Sequence, residues 1–192
     1  MIDVDGMGID ALCVPGHKGL LGPQGCGMVL LGDGIRLDTL TEGGNGMASL
    51  EGSMSGEPPE RYEAGTLPTP ALAGLCEGLR LLTEWGIEEI AQREQRLYRL
   101  ARERLGNTEG VTLYAPQYEG NILLFNVSGF SPERIGHILN ESGICVRSGY
   151  HCSALGHRTL GTDETGAVRL SFGVSNRPWE IDRLWRVLRT LS

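Results

Sequence analysis

The chain has 192 residues, 40% of them hydrophobic and 21% charged, an ordinary globular composition with enough length for one large domain or two small ones. A net charge of -7 argues against nucleic acid as the main partner, because neutralising phosphates takes a basic surface. No apolar run reaches the roughly 18 residues that a membrane span needs, and Met1-Ile2-Asp3-Val4-Asp5 lacks the basic-then-apolar layout of a secretion signal, so the expected compartment is the cytoplasm.

Along the chain, Ala11-Leu12-Cys13-Val14 is a short apolar run that stops at Pro15-Gly16 and reads as a buried strand. Cys26 to Leu31, stopped by Gly32-Asp33-Gly34, reads the same way. Residues 36–70 are rich in Gly, Ser, Glu and Pro; a loop of that length inside a compact domain is uncommon and is usually functional. Thr69-Pro70 opens a helix with proline in its first turn, and Leu72, Leu75, Leu79 and Leu82 form one apolar stripe along it. After Gly86 a second, strongly charged helix begins, with Leu97, Leu100, Ala101 and Leu105 on its apolar side.

The remainder alternates. Strands are expected at 111–114 and 122–127. Ser131-Pro132-Glu133 opens a helix whose core side is Ile135, Ile138 and Leu139 and which stops near Gly143. Further strands are expected at 144–147 and 167–172, and a closing helix runs from Trp179 to Leu191. Strands alternating with helices predict an α/β or α+β sandwich. The chain also reads as though it begins inside a domain, because the first strand comes before any helix that would cover it.

Glycine stands out at 29 residues, about twice the roughly 7% background, clustered at 16–34, 43–56 and 143–173. Such clusters mark tight turns and close approach of backbone to a ligand. The five cysteines, at 13, 26, 76, 145 and 152, have no C-x-x-C spacing, so neither a disulfide framework nor a zinc module is expected. Cys145, His151, Cys152 and His157 are all metal-ligand types close in sequence, but without paired spacing a metal site is the least favoured reading.

Lys18 sits just after an apolar strand and between glycines. That is an odd place for a solvated cation and a good one for an amine that forms Schiff bases; the plain alternative is a surface lysine at a strand end. Arg169 in the last strand has the fork that clamps a carboxylate, or it makes an ordinary salt bridge. Cys152 has His151, Arg147 and glycines nearby to lower the pKa of a thiol, or it is a passive packing residue.

Four segments, in order, carry a resemblance. Pro15-Gly16-His17-Lys18-Gly19-Leu20-Leu21-Gly22-Pro23-Gln24-Gly25-Cys26-Gly27 resembles the lysine segment of the aminotransferase class V family of pyridoxal-phosphate (PLP) enzymes. Arg61-Tyr62-Glu63-Ala64-Gly65-Thr66 resembles that family's Arg-Phe-Glu-x-Gly-Thr segment. Val146-Arg147-Ser148-Gly149-Tyr150-His151-Cys152 resembles the thiol loop of group II cysteine desulfurases and selenocysteine lyases, and Thr165 to Phe172 with Asn176 resembles the family's closing strand.

The resemblance implies a fold-type I PLP-dependent transferase: an α/β fold with the end of the large cofactor domain and the linking helix at 1–85 and the small α/β sandwich domain at 86–192. Lys18 would hold PLP covalently and move the substrate Cα proton. His17 would lie near the phosphate, with Thr66 donating to the phosphate of a neighbouring subunit in a homodimer and Gly65 permitting close backbone approach. Arg169 would clamp the substrate carboxylate beside Arg147 and His151, and Cys152 would take sulfur from cysteine as a persulfide, leaving alanine. A sulfur-acceptor protein would be the further partner. The alternatives are selenocysteine lyase or aminotransferase chemistry, or a non-catalytic fragment serving dimerisation or partner binding. The family's catalytic chain is about twice this length, so a truncated or partial chain is expected, and the groups that stack on the ring and pair with its nitrogen have no counterpart here. Two positions depart from the pattern: Pro15 where relatives often carry a phosphate-binding Ser, and Tyr150 where the first of two histidines usually stands.

Overall fold

The computed structural model describes residues 2–47, 50, 52–54 and 56–191. The chain divides into two compact units, Met1–Trp85 and Gly86–Ser192.

In the first unit, strands Ala11–Pro15 (β1) and Gly27–Leu31 (β2) form an antiparallel ribbon, with Ala11 opposite Leu31 and Pro15 opposite Gly27. The turn between them closes on itself, because the Gly16 N–H donates to the Cys26 carbonyl at 3.0 Å and the Gly22 N–H to the Gly16 carbonyl at 2.9 Å. Helix Thr69–Trp85 (α1) presses on this turn. Buried Leu75 lies against Gly22, and a Cβ at Gly78 would stand 2.3 Å from the Leu20 carbonyl oxygen.

The expected burial of β1 and β2 is not found. Neither strand has a buried residue, and Val29 and Leu30 are 55% and 43% exposed. An apolar run specifies a strand, but what covers it is decided elsewhere in a fold, and among the described residues this ribbon has no third strand. The expected long loop is present, its described residues holding only a short 3-10 turn at Glu60–Tyr62, and it is pinned. Arg36 pairs with Glu57, the Leu37 N–H donates to the Tyr62 hydroxyl at 2.9 Å, and Asn45 Nδ2 donates to the Glu60 carbonyl at 2.9 Å.

The second unit is a two-layer sandwich. Strands Val111–Tyr114 (β3), Ile122–Val127 (β4), Arg147–Gly149 (β5) and Ala167–Ser171 (β6) form one antiparallel sheet in the order β3-β4-β6-β5. The helices are Ile87–Gly106 (α2), Pro132–Glu141 (α3), Ala154–Leu160 (α4) and Pro178–Leu188 (α5). Strand alternation sorts the two sheet faces. Leu123, Phe125 and Val127 of β4 join Val168 and Leu170 of β6 on one face. There they share a core with Leu97, Ala101 and Leu105 of α2, Ile135 and Leu139 of α3, and Ile181, Leu184 and Leu188 of α5. The other face carries Leu124, Asn126 and Arg169, all only partly buried.

Most elements lie where the sequence puts them. α3 starts at the expected cap, with Ser131 Oγ accepting the Arg134 N–H at 3.3 Å and Pro132 in the first turn. The strand expected at 144–147 is instead Arg147–Gly149. Its pairing with β6 sets Gly149 opposite Ala167 and Arg147 opposite Arg169 and does not extend to 144–146. α4 falls where no helix was expected. No helix of the described residues is long and apolar enough to cross a membrane.

Candidate functional site

Both units carry candidate functional residues. In the first, Lys18 occupies the tip of the turn after β1, where the Leu21 N–H donates to its carbonyl at 3.1 Å. The turn is rigid at its base because Gly16 is buried and a Cβ there would meet the Cys26 carbonyl at 2.8 Å. The Lys18 side chain is exposed and has no hydrogen-bond or ion-pair partner among the described residues. A primary amine held out on a stiff turn is accessible to an aldehyde carbon. His17 precedes it on the same turn and is also exposed.

Gly65, at φ +80, and Thr66 line a cavity of about 410 Å³ with Gly44, Asn45, Glu60 and Leu67. His17 and Lys18 are not among its lining residues. The groups fit a phosphate end and an aldehyde end of a cofactor in kind: an exposed hydroxyl after a left-handed glycine, and an exposed amine.

In the second unit the geometry is more specific. Arg147 of β5 and Arg169 of β6 are direct partners across the strands. Like charges placed opposite each other destabilise a sheet. Neither arginine has a carboxylate within ion-pair distance among the described residues, and Arg169 Nε is buried with no hydrogen-bond partner. A buried unpaired donor costs about 1–3 kcal/mol. Two uncompensated guanidinium groups with one orphaned N–H form a seat for an anion, and their fork geometry suits a carboxylate.

The chain then turns sharply. His151 and Cys152 both adopt left-handed backbone, φ +55 and +58, and the Ser153 N–H closes the turn on the Tyr150 carbonyl at 2.9 Å. Non-glycine residues in that region cost of order 1–3 kcal/mol each and persist only where surrounding contacts hold them. One such contact is steric. Gly166, at φ +69, approaches the Gly149 backbone so closely that a Cβ would sit 3.1 Å from it.

The others are hydrogen bonds. His151 Nε2 lies 3.1 Å from the Arg147 carbonyl oxygen, and His151 Nδ1 lies 3.3 Å from Nε2 of His157. His157 Nδ1 in turn lies 2.7 Å from the Thr162 hydroxyl, and both His157 and Thr162 are buried. Burial holds the His151 pKa below the ordinary histidine value, and the positive charge of Arg169, the neighbouring His157 and Arg147 push the same way against the hydrogen bond to the Arg147 carbonyl.

Cys152 is exposed and makes no hydrogen bond among the described residues. The expectation that His151 acts on the thiol finds no direct contact, because both ring nitrogens are engaged elsewhere. Among the described residues no group of three His, Cys, Asp or Glu gathers as metal ligands. His157 and Thr162 were not singled out for this site by sequence reasoning, which placed His157 only in the metal reading. The available signal was the pair His151 and His157 followed by Gly161-Thr162.

The aminotransferase class-V family model matches residues 1–184. A probable cysteine desulfurase from Mycolicibacterium paratuberculosis is 36% identical over all of this chain, which covers 28% of that protein. A probable cysteine desulfurase from Methanothermobacter thermautotrophicus is 32% identical over all of this chain and half of its own length. Among solved structures, the apo cysteine desulfurase from Thermococcus onnurineus NA1 superposes with a TM-score of 0.81 at 32% identity, covering 98% of this chain and 48% of that one. The cysteine desulfurase CsdA from Escherichia coli, in an S-sulfonic acid form, gives 0.80 at 27% identity, covering 98% and 47%. The chain therefore spans half or less of the length of these relatives.

Proposed function

Because the chain belongs to the aminotransferase class-V family, whose fold it shares, we propose that it forms the C-terminal part of a PLP-dependent cysteine desulfurase. In this reading Met1–Trp85 is the end of the cofactor domain with its linking helix, and Gly86–Ser192 is the small domain. The observation that carries the proposal is the uncompensated Arg147–Arg169 pair on β5 and β6, with an exposed thiol on the turn that follows β5.

Lys18 attaches the cofactor through its exposed amine and carries the proton to and from the substrate Cα. His17 and the Gly65-Thr66 backbone and hydroxyl serve the phosphate, Thr66 that of a second subunit in a homodimer. When bound, PLP supplies the electron sink that loosens bonds around the substrate Cα. Arg169 and Arg147 hold the amino-acid carboxylate, which satisfies the orphaned Nε, and His151 braces the loop beside them.

Cys152 as thiolate attacks the sulfur of L-cysteine. One S–S bond forms, the substrate Cβ–S bond breaks, and the carbon that keeps the electron pair takes a proton. The products are L-alanine and a Cys152 persulfide, with all atoms accounted for. A persulfide on an exposed turn is open to a sulfur-acceptor protein, and the proposed compartment is the cytoplasm. Selenocysteine fits the same carboxylate seat as a second substrate.

The test is Cys152→Ser in the enzyme that contains this chain. Alanine formation from L-cysteine should be lost, while the visible absorbance of bound cofactor is kept. Full turnover by the variant would make Cys152 a packing residue and leave a class V lyase or aminotransferase that works without a thiol.

A further inference from the structure

The hydrogen bonds behind the Cys152 turn have a fixed direction. The Arg147 carbonyl can only accept, so His151 Nε2 must carry the proton. A neutral His151 then has a lone pair on Nδ1, and His157 Nε2, 3.3 Å away, must be the donor. A neutral His157 is left with a lone pair on Nδ1, which the Thr162 hydroxyl fills at 2.7 Å. Thr162, His157, His151 and the Arg147 carbonyl thus form one chain of donors, each satisfying the next.

We propose that His157 and Thr162 are positioning residues: they lock His151 in its Nε2–H tautomer and thereby hold the strained His151-Cys152 turn against β5. The link to sulfur transfer rests on the desulfurase reading, whereas the tautomer lock does not.

Three features support the lock. His157 is anchored twice at its own end, because the Thr162 N–H donates to its carbonyl at 2.9 Å and the Tyr150 ring meets the imidazole edge-on at 5.4 Å between centroids. The groups facing His151 are all cationic or neutral, namely Arg147 from β5, Arg169 from β6 and His157 from α4, and no carboxylate contributes to its titration. Only the hydrogen bond to the Arg147 carbonyl favours an imidazolium, and burial with the surrounding positive charges outweighs it. The reversed arrangement is also poorer. A proton on His151 Nδ1 would force His157 to present Nε2 as acceptor and Nδ1–H as donor to Thr162. The hydroxyl hydrogen would then have to turn to the His157 carbonyl, 3.4 Å away.

The experiment uses the full 192-residue chain without cofactor or substrate, so its outcome is independent of the Cys152→Ser turnover test. Imidazole nitrogens are assigned by long-range nitrogen–proton correlation at neutral pH in wild type, Thr162→Val and Thr162→Ser, and exchange of the Ser153 amide is followed in each. The expected result is an Nε2–H tautomer at both His151 and His157 in wild type. Thr162→Val should lose that single tautomer at both rings and speed Ser153 exchange by roughly fivefold, the population change that losing one hydrogen bond produces, and Thr162→Ser should restore both. An unchanged His151 signature in Thr162→Val would overturn the proposal. If Thr162→Val does not fold, the wild-type spectrum decides, and an Nδ1–H tautomer at His151 overturns it.

Discussion

Arg169 is costly to the isolated fold. It faces another arginine across the strand and keeps a buried N–H without a partner. A carboxylate ligand would offset both penalties at once, so the residue should matter to substrate affinity far more than to cofactor content. Truncating one member of a buried charge pair costs about 2–5 kcal/mol. In the enzyme containing this chain, Arg169→Ala should raise KM for the amino acid by roughly thirtyfold or more, the equivalent of the lower bound. Steady-state kinetics with cofactor absorbance as the control checks this, and an unchanged KM would return Arg169 to an ordinary strand residue. Arg169, Lys18 and Cys152 were candidates in the sequence through the family resemblance of their segments, since a strand end, a glycine turn or a neighbouring histidine fits an ordinary structural role as well. The His157–Thr162 pair was not, because its meaning depends on α4 folding back so that residues six and eleven positions after His151 reach it.

At the scale of the elements, α1 rests on the Lys18 turn through Gly78. Helix propensity alone says that Gly78→Ala should stabilise α1 by about 1 kcal/mol. The contact says the opposite, since the new methyl would meet the Leu20 carbonyl oxygen, a backbone atom, at 2.3 Å. Steric overlap of that size forces a backbone shift costing about 1–3 kcal/mol, so the contact should win. The expected outcome is a lower urea midpoint for the first unit, with faster amide exchange at Leu21 and Gly22; a raised midpoint would mean that the helix can move away freely. Helices announced themselves in the sequence when they were long and striped, as α1, α2 and α5 are, or well capped, as α3 is. α4 was hidden because seven residues are too few to show an apolar stripe. β5 was misplaced by three residues because Ile144-Cys145-Val146 has strand composition, yet pairing with β6 decides where the ladder begins.

For the whole molecule, burial is unevenly shared. Of the buried hydrophobic residues among those described, only Leu75 lies in the first unit; the others belong to the second. Hydrophobic burial is the main favourable term in folding, so residues 86–192 expressed alone should unfold in one cooperative transition. In the full chain, native-state hydrogen exchange should show β4 and β6 as the most protected strands and β1 and β2 as the fastest. Equal protection of β1 and β6 would contradict this reading. The thinness of the first unit was not readable in the sequence, because composition does not reveal what lies over a strand.

The β1–β2 ribbon has a further consequence for handling the protein. Among the described residues each strand is paired along one side only, and Val29 and Leu30 are exposed on it. An open strand edge with apolar side chains is a template on which another chain can add a strand. Concentrated solutions of this chain should therefore be prone to edge-to-edge aggregation, seeded by residues 11–15 and 27–31. A charge placed at Val29 or Leu30 should then raise the solubility limit, while the same change on the exposed surface of the sandwich should leave it where it was.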